Sequence, residues 1–321
     1  MRVAMVGCGA AGSVFASFLR MGGCDLTVVD INKTHMDAVA ANGMDCLVAP
    51  STPYHVDGFK TAYDCNDIGI MDAIIFVTKA TFLTSGLETA KPAIGPNTVL
   101  VSLINGVGNE DYLIDVVGED RVIYGSGTLG TFLNAPGKCT CSPPGAGLWM
   151  NFGAVKRNDL TNAVGEHLEK CFNDGHCPAK YWDDVAPAVW HKANSNCTYN
   201  ALTTLLRLKC KYIMKSEFGC RCIEMVSSEV YDVAAARGVN MSKEEFMNEA
   251  RIGADAPISN YYTSMAQDLL FNERRTEIET LNGRIVEMGK KYGVPTPVNE
   301  FIYNAISCMQ DHIDVMYPKE K

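Results

Sequence analysis

The sequence lacks the features by which a chain is assigned to a membrane or to a nucleic acid. It has no uninterrupted apolar run of the ~20 residues that a transmembrane helix needs, because the longest candidate, starting at Val3, is stopped by Arg20 and Gly22. It also lacks an excess of basic residues: its net charge is −9 at pH 7, whereas a nucleic acid or an anionic membrane requires a basic surface. We therefore expect neither as a partner.

Cysteine is abundant, but the spacings of a metal site or a thioredoxin-type redox site are absent. The 13 cysteines are scattered, and the close pairs, at 139/141 and 220/222, are C-x-C rather than C-x-x-C. The six histidines do not cluster near those pairs. We therefore predict reduced thiols in a cytoplasmic protein, with no metal site and no disulfide bond.

The apolar run at the N-terminus contains glycines at the G-x-G-x-x-G spacing, between a short apolar strand and a stretch of helical composition. In a dinucleotide-binding fold, Gly7 would permit the tight turn, Gly9 the close approach of the pyrophosphate, and Gly12 the packing of helix on strand. Ala10 and Ala11 would then present the first helical amides to the phosphates. An export signal is the other interpretation of this run, and the internal glycines argue against it.

Asp30 follows the second apolar run, Asp25–Val29. A carboxylate at this point accepts hydrogen bonds from the adenosine ribose hydroxyls and repels a 2′-phosphate. We therefore expect NAD(H) to be favoured, while NADP(H) stays open because Lys33 can partly compensate the charge. The alternative role of Asp30 is that of a helix N-cap.

Three further apolar runs, Ala73–Val77, Thr98–Ile104 and Arg121–Ser126, are continuous rather than alternating. Such strands are typical of a parallel sheet that is covered on both faces. Pro-Gly turns then precede Leu148–Phe152, which we assign to an antiparallel extension. The fold class predicted for residues 1–182 is thus α/β, a Rossmann-type dinucleotide-binding domain.

Residues 183–321 show helical periodicity without a further convincing strand, which predicts an all-α substrate or catalytic domain. The expected helices are Val185–Leu206, Glu217–Arg237, Lys243–Ala254, Glu277–Tyr292 and Asn299–Met316. In such a two-domain protein we expect the ligand in a cleft between the domains, at the carboxyl ends of the strands.

Two loops after predicted strands carry polar residues. Lys79 follows the run that ends at Val77, and the pair Asn105-Gly106 follows the run that ends at Ile104. A solvated loop cation and an ordinary turn are the alternative explanations. Because parallel strands end at one sheet edge, their shared position favours ligand binding.

Lys192, Asn196 and Asn200 recur at i, i+4 and i+8, so one helix face is predicted to carry a cation and two amides. Apolar neighbours favour a pocket wall over a solvent-facing stripe. Further along, Thr276 and Glu279 have the spacing of a capping box, which would place Glu277 in the first turn of a helix. Whether Glu277 serves only the helix dipole is open from the residues alone.

Taken together, these runs resemble the ketopantoate reductase (2-dehydropantoate 2-reductase) family over nearly the whole chain. The segments that carry the resemblance are the glycine loop, Lys79, Asn105-Gly106, W-x-K-x-x-x-N-x-x-x-N at Trp190–Asn200, S-M-x-Q-D at Ser264–Asp268 and T-E-I-E-x-L-N-G at Thr276–Gly283. The resemblance implies hydride transfer from a reduced nicotinamide to the keto carbon of a 2-oxo acid, giving an R-2-hydroxy acid. The default substrate is 2-dehydropantoate, an intermediate of pantothenate biosynthesis.

The resemblance also implies residue roles. Lys192 would be the general acid, and Glu277 would hold both the cofactor ribose and the substrate. The implied substrate contacts are Asn105, Asn196, Asn200 and Ser264, and the implied cofactor contacts beyond the glycine loop are Lys79, Asn105 and Gly106. The sequence leaves the oligomeric state open, with a homodimer as one alternative.

The sequence departs from the family pattern at three points. Asp30 stands where NADP-dependent members carry Arg. Either Tyr261 or Tyr262 stands where the family usually has an Asn. The segment R-L-K-C-K-Y follows Leu206 in place of the usual Gly-Glu-Leu segment. These departures fit an alternative, an NAD-dependent D-2-hydroxyacid dehydrogenase for branched or aromatic 2-oxo acids. An alternative of another class is a non-catalytic NAD-binding redox sensor, against which the presence of both Lys192 and Glu277 argues.

Overall fold

The computed structural model describes residues 1–144, 147–250, 260 and 262–316. The chain divides into two compact units, Met1–Val185 and Ala186–Lys321. Among the described residues, no helix has both the length and the apolar character that crossing a bilayer requires.

The N-terminal unit contains two sheets. Its strands are β1 (Arg2–Val6), β2 (Asp25–Val29), β3 (Met44–Val48), β4 (Thr52–Val56), β5 (Lys60–Ala62), β6 (Ala73–Phe76), β7 (Val99–Ser102), β8 (Val122–Gly127), β9 (Gly130–Ala135), β10 (Lys138–Ser142), β11 (Met150–Ala154) and β12 (Ala179–Trp182). The larger sheet has the order β12-β11-β8-β7-β6-β1-β2-β5, and the smaller one has the order β4-β3-β10-β9.

Helices cover the larger sheet and make up the described part of the C-terminal unit. Those of the N-terminal unit are α1 (Ala10–Met21), α2 (Lys33–Asn42), α3 (Leu83–Ala90), α4 (Asn109–Val117) and α5 (Asp159–Asp174). Those of the C-terminal unit are α6 (Ala186–Ser195), α7 (Ala201–Leu206), α8 (Cys210–Met214), α9 (Glu217–Ala236), α10 (Lys243–Glu249), α11 (Ser264–Ala266), α12 (Asn282–Tyr292) and α13 (Pro297–Asp311). Two π-helical segments, Asn196–Asn200 and Gln267–Phe271, continue α6 and α11.

The strands of the larger sheet are apolar at most positions because both faces are covered. In β1, Val3 and Met5 belong to one hydrophobic core, while Ala4 and Val6 belong to the core on the opposite face. The pairs from β5 through β2, β1, β6 and β7 to β8 are all parallel, and β11 joins β8 antiparallel. The predicted Rossmann-type parallel sheet with an antiparallel extension is confirmed, and so is the helical C-terminal region in its described part.

The smaller sheet was not predicted. Its strands are short and mix polar with apolar residues, so their sequences resemble loops between turns. In its parallel β3–β10 pair, Cys46 lies directly opposite Cys139. The sheet packs against α1, so residues without a clear strand signal still contribute to the core of the N-terminal unit.

Four predicted helices differ from those in the structure. The helix predicted over Asn299–Met316 runs from Pro297 to Asp311. The helix predicted over Val185–Leu206 is interrupted by the π-helical segment at Asn196–Asn200. The helix predicted from Glu277 begins only at Asn282, after a 3-10 turn. The helix predicted over Lys243–Ala254 ends at Glu249 in the structure, and its last predicted residues lie outside the described part of the chain.

Candidate functional site

The three glycines of the N-terminal loop each meet a different requirement. Gly7 has a φ of 100°, which favours glycine. A Cβ on Gly12 would lie 2.0 Å from the carbonyl oxygen of Gly7, so only glycine lets α1 start this close to the loop. A Cβ on Gly9 would meet nothing within 4 Å. The space above Gly9 is therefore free of protein atoms, as a bound pyrophosphate would need.

The N-terminus of α1 offers its amides to this space. The helix begins at Ala10, and no described side chain caps its first amides, since the preceding residue is Gly9. The first turn contains no acidic residue, and Ala10 and Ala11 are only partly buried. Free amides and the positive end of the helix dipole together make this terminus suitable for a phosphate.

Asp30 follows the end of β2 beside the glycine loop. Its Oδ2 accepts a hydrogen bond from the Cys8 amide at 2.6 Å, and its Oδ1 accepts one from the Asn32 amide at 2.8 Å. The N-cap of α2 is Asn32, whose side chain accepts from the His35 amide. The alternative of Asp30 as this N-cap is therefore wrong, and each of its carboxylate oxygens keeps a lone pair for a ribose hydroxyl.

A buried polar cluster behind the loop was missed by sequence reasoning. His35 is 1% exposed, and its Nδ1 accepts a hydrogen bond from the Gly137 amide at 3.1 Å. Its Nε2 then carries the proton and faces Ser13 Oγ at 3.1 Å and Cys8 Sγ at 3.3 Å. Burial lowers the pKa of His35, so the neutral ring ties the phosphate loop to the turn between β9 and β10.

The other N-terminal residues singled out in the sequence lie at the same edge of the sheet. Lys79 is exposed just beyond β6, and Asn105 is exposed just beyond β7, next to Gly106 with a φ of 100°. Strands β1, β6 and β7 are parallel neighbours, so these loops and the glycine loop leave the sheet at one edge. Thr78 Oγ1 is buried there without a hydrogen-bond partner in the described residues.

Replacement of Gly9 tests this loop directly. We expect Gly9→Ala to unfold at the wild-type temperature without cofactor, because Gly9 has a φ of −73° and its Cβ would meet no protein atom. The methyl group of the new alanine would occupy the space of the pyrophosphate, so the Kd for NADH should rise about tenfold or more. This rise corresponds to a loss of at least ~1.4 kcal/mol of binding free energy. Calorimetric titration and thermal unfolding measure the two effects. Unchanged affinity would exclude this loop as the phosphate site.

Lys192 occupies α6 in the C-terminal unit, where it is partly buried. Burial lowers the pKa of its ammonium from the usual 10.5 to about 8, and the negative charge of Glu277 opposes this effect. The fold thus brings these two predicted residues, 85 positions apart in the chain, into electrostatic contact. An amine with a pKa near neutrality is suited to donate a proton.

The two predicted asparagines follow Lys192 in the π-helical segment. Asn200 Nδ2 donates a hydrogen bond to Asn196 Oδ1 at 3.5 Å, and both side chains are partly buried. A π-helix pairs residue i with i+5, so the register changes after Ser195. The segment is therefore not the regular α-helix that the i, i+4, i+8 spacing assumes, although Asn196 and Asn200 remain neighbours, as predicted.

Two fully buried asparagines stabilise this π-helical segment, and sequence reasoning missed both. Asn282 Nδ2 donates to the Cys197 carbonyl and to Asn299 Oδ1, each at 3.0 Å. Asn299 Nδ2 in turn donates to Glu229 Oε2 at 2.7 Å. Asn282 is part of the T-E-I-E-x-L-N-G run, so its residue type was visible in the sequence, but its partner 85 residues away was not.

Ser264 lies exposed at the start of α11, and α11 packs against the segment of Asn196 and Asn200. Thr263 Oγ1 is hydrogen-bonded to Thr203 Oγ1 at 2.6 Å, which connects this part of the chain to α7. The fold therefore gathers three of the predicted substrate contacts in one region of the C-terminal unit. Asn105, the fourth, belongs to the N-terminal unit.

Of the two tyrosines that depart from the family pattern, Tyr261 lies outside the described residues. Tyr262 is partly buried and packs edge-on against Phe271, with ring centroids 5.0 Å apart. The ammonium of Lys209 lies 5.5 Å from the centre of the Tyr262 ring. Tyr262 therefore places an aromatic ring, with the Lys209 ammonium near its centre, two residues before Ser264.

The predicted capping box at Thr276 is wrong. Thr276 Oγ1 does accept a hydrogen bond from a following amide, but from Ile278 at 3.2 Å, and it donates to Gln310 Oε1 at 2.6 Å. Glu277 precedes a 3-10 turn, and its carbonyl accepts from the amides of Thr280 and Leu281. Glu277 is therefore not in the first turn of α12, and dipole compensation there does not explain it.

Two family models match the chain. The model described as Ketopantoate reductase PanE/ApbA matches residues 3–156, and the one described as Ketopantoate reductase PanE/ApbA C terminal matches residues 184–310. Among curated proteins, the 2-dehydropantoate 2-reductase of Lactococcus lactis subsp. lactis is 27% identical over 315 residues, which cover 97% of this chain and 98% of that protein.

Solved structures with the same fold span nearly the whole chain. The ternary structure of D-mandelate dehydrogenase with NADH and anilino(oxo)acetate has a TM-score of 0.85 at 25% identity, and the match covers 98% of this chain and 100% of that one. A PanE/ApbA family ketopantoate reductase from Ralstonia eutropha JMP134 has a TM-score of 0.82 at 26% identity, with coverage of 98% and 100%.

Proposed function

The chain belongs to the ketopantoate reductase family, and on this premise we propose that it catalyses the NAD(P)H-dependent reduction of a 2-oxo acid to an R-2-hydroxy acid, with 2-dehydropantoate as the default substrate. In this proposal residues 1–182 hold the cofactor and residues 183–321 supply the acid. The observation that carries it is Lys192, a partly buried amine with a pKa of about 8 that interacts with the charge of Glu277.

Reduced nicotinamide supplies the hydride when it is bound, and negative charge then develops on the carbonyl oxygen of the substrate. Lys192 Nζ stabilises this charge and donates the proton that completes the hydroxyl group. The carboxylate of Glu277 keeps a larger fraction of the amine protonated, because it raises the pKa that burial has lowered. In our proposal Glu277 also binds the cofactor ribose and the substrate.

Asn196, Asn200 and Ser264 are the proposed substrate contacts of the C-terminal unit. Amides and a hydroxyl group can donate hydrogen bonds to the carboxylate of a 2-oxo acid without adding a competing acid. The hydrogen bond between Asn200 and Asn196 fixes the orientation of both amide groups. Asn105 completes the proposed set from the N-terminal unit.

We expect NADH to be preferred to NADPH by at least about tenfold in kcat/KM, a difference of ~1.4 kcal/mol. Both oxygens of Asp30 accept from backbone amides and can also accept ribose hydroxyls, whereas a 2′-phosphate would be repelled. Lys33, the residue that could compensate, lies with its ammonium 5.4 Å from the centre of the Tyr63 ring. Steady-state kinetics with both cofactors measures the preference.

The matched control is Asp25, which stands at the start of the same strand that Asp30 follows. Asp30→Ala should reduce the preference for NADH, while Asp25→Ala should leave it unchanged. A wild-type preference for NADPH, or an unaltered preference in Asp30→Ala, would show that another residue selects the cofactor.

The second candidate function is that of a D-2-hydroxyacid dehydrogenase for larger or aromatic 2-oxo acids. Two observations favour it: the aromatic pair of Tyr262 with Phe271, close in sequence to the proposed contact Ser264, and the similarity to a D-mandelate dehydrogenase over 98% of the chain. In this branch an aromatic ring of the substrate would stack on a tyrosine.

A panel of 2-oxo acids with NADH tests the proposal. It should include 2-dehydropantoate, a branched aliphatic acid and phenylglyoxylate, and it should follow NADH oxidation together with the configuration of the product. Highest kcat/KM for 2-dehydropantoate supports the default substrate, and highest kcat/KM for phenylglyoxylate supports the second candidate. NADH binding without turnover of any acid would instead indicate the non-catalytic sensor.

A further inference from the structure

Three potential metal ligands meet in the N-terminal unit at the edge opposite the glycine loop. His167 and Cys171 lie one turn apart on α5, and Cys24 immediately precedes β2. The two sulfur atoms and the imidazole nitrogen all lie within 4.8 Å of one another. We propose that Cys24, His167 and Cys171 bind one thiophilic d10 ion, Zn²⁺, as a Cys₂His site.

The distance within α5 already fits such an ion. Cys171 Sγ lies 3.6 Å from His167 Nε2. A tetrahedral zinc ion, with bonds of about 2.3 Å to sulfur and about 2.0 Å to nitrogen, separates these two ligands by about 3.5 Å. The i, i+4 spacing on one helix therefore holds two ligands at bonding separation without a change in the backbone.

The third ligand is brought in by a close contact between backbones. A Cβ on Gly22 would lie 1.8 Å from the carbonyl oxygen of Cys171, so only glycine permits this approach of α1 to α5. Two residues later, the Cys24 amide donates a hydrogen bond to the Leu19 carbonyl at 3.0 Å. The chain thus turns at the end of α1, and as a result Cys24 lies beside Cys171.

The three proposed ligands differ in exposure. Cys24 is 0% and Cys171 3% exposed, while His167 is only partly buried and leaves a path for an ion. The side chains of Cys24 and Cys171 are in hydrogen-bond contact, so the two sulfur ligands already lie side by side. A thiolate and a neutral imidazole are the forms that bind zinc.

The sequence predicts no metal site, because its close cysteine pairs lack the C-x-x-C spacing and the histidines do not cluster near them. Here the ligands come from two elements more than 140 positions apart, so no local sequence motif indicates them. Soft thiolate and imidazole ligands select zinc over magnesium or calcium. The ion would link α5 to the start of β2, away from the loop proposed for the cofactor, so its binding does not depend on the proposed reaction.

The test uses the full-length protein, reduced and freed of metal, and titrated with Co²⁺ and then with Zn²⁺. We expect one equivalent of Co²⁺ to produce thiolate-to-cobalt charge-transfer absorption, and one equivalent of Zn²⁺ to remove it and to raise the unfolding temperature. Cys24→Ser and Cys171→Ser should weaken Zn²⁺ binding at least about 100-fold, since even residues that only support a ligand contribute roughly 10- to 100-fold.

Cys65→Ser is the matched control, because Cys65 is an equally buried thiol of the same unit and should leave Zn²⁺ binding unchanged. Should a variant fail to fold, X-ray absorption spectroscopy of the Zn²⁺-loaded wild-type protein provides the second measurement: the bound ion should show two sulfur ligands and one imidazole nitrogen ligand. Absence of a cobalt signal from the reduced wild-type protein, or equal Zn²⁺ affinity in Cys24→Ser and Cys65→Ser, would overturn the proposal.

Discussion

Lys192→Ala is expected to lose about 10²-fold or more in kcat for the reduction of the preferred 2-oxo acid, the scale on which a positioned general acid contributes. The Kd for NADH should stay at the wild-type value, because the glycine loop and Asp30 are unchanged. Single-turnover kinetics and calorimetric titration measure the two quantities. Lys290→Ala is the control, since the Lys290 side chain is 70% exposed in an ion pair with Glu300 and should retain full activity.

The pH dependence of reduction gives a second readout of the same residue. Reduction requires the protonated amine, so wild-type kcat/KM should fall as the pH rises through about 8, where Lys192 loses its proton. Glu277→Gln removes the charge that raises this pKa, so its alkaline limb should move to lower pH. Lys192→Ala should show no such limb. A mutant with near wild-type kcat and an unchanged alkaline limb would contradict the assignment of Lys192 as the acid.

Asn282→Ala is expected to lower the free energy of unfolding by about 2 kcal/mol or more, because it removes two buried hydrogen bonds. The affected groups are the Cys197 carbonyl and Asn299 Oδ1. Since Cys197 lies between the proposed substrate contacts Asn196 and Asn200, we also expect KM for the 2-oxo acid to rise. Chemical denaturation and steady-state kinetics on one preparation measure both effects.

The matched control is Asn248→Ala, because Asn248 is an exposed asparagine on α10 and should affect neither quantity. Affinity for NADH should be retained in both variants, which separates a change in the π-helical segment from general unfolding. A variant Asn282→Ala with wild-type stability and KM would show that the Cys197 carbonyl does not need this donor.

Local sequence patterns sufficed for the dinucleotide fold and for the family. The glycine spacing, the acidic residue after β2 and the continuous apolar strands each reflect short-range requirements: backbone turns, close approach and burial on both faces of a sheet. The same holds for the helical C-terminal region, where periodicity alone indicates an apolar face. Lys192 and Glu277 are candidates on their sequence motifs alone, because each lies in a run of residues typical of the family.

Only the tertiary structure decided how those candidates are supported, because their partners are far away in the chain. Burial lowers the pKa of Lys192, and the charge of Glu277, 85 residues away in the chain, partly opposes this shift. The π-helical segment after Ser195 follows an ordinary helical pattern in the sequence, yet a buried asparagine from α12 binds the Cys197 carbonyl inside it. Likewise, Cys24 becomes a neighbour of His167 only through the packing of α1 on α5. The sequence specifies the residue types. Tertiary packing determines the distances between residues that are remote in the chain, and therefore determines their chemistry.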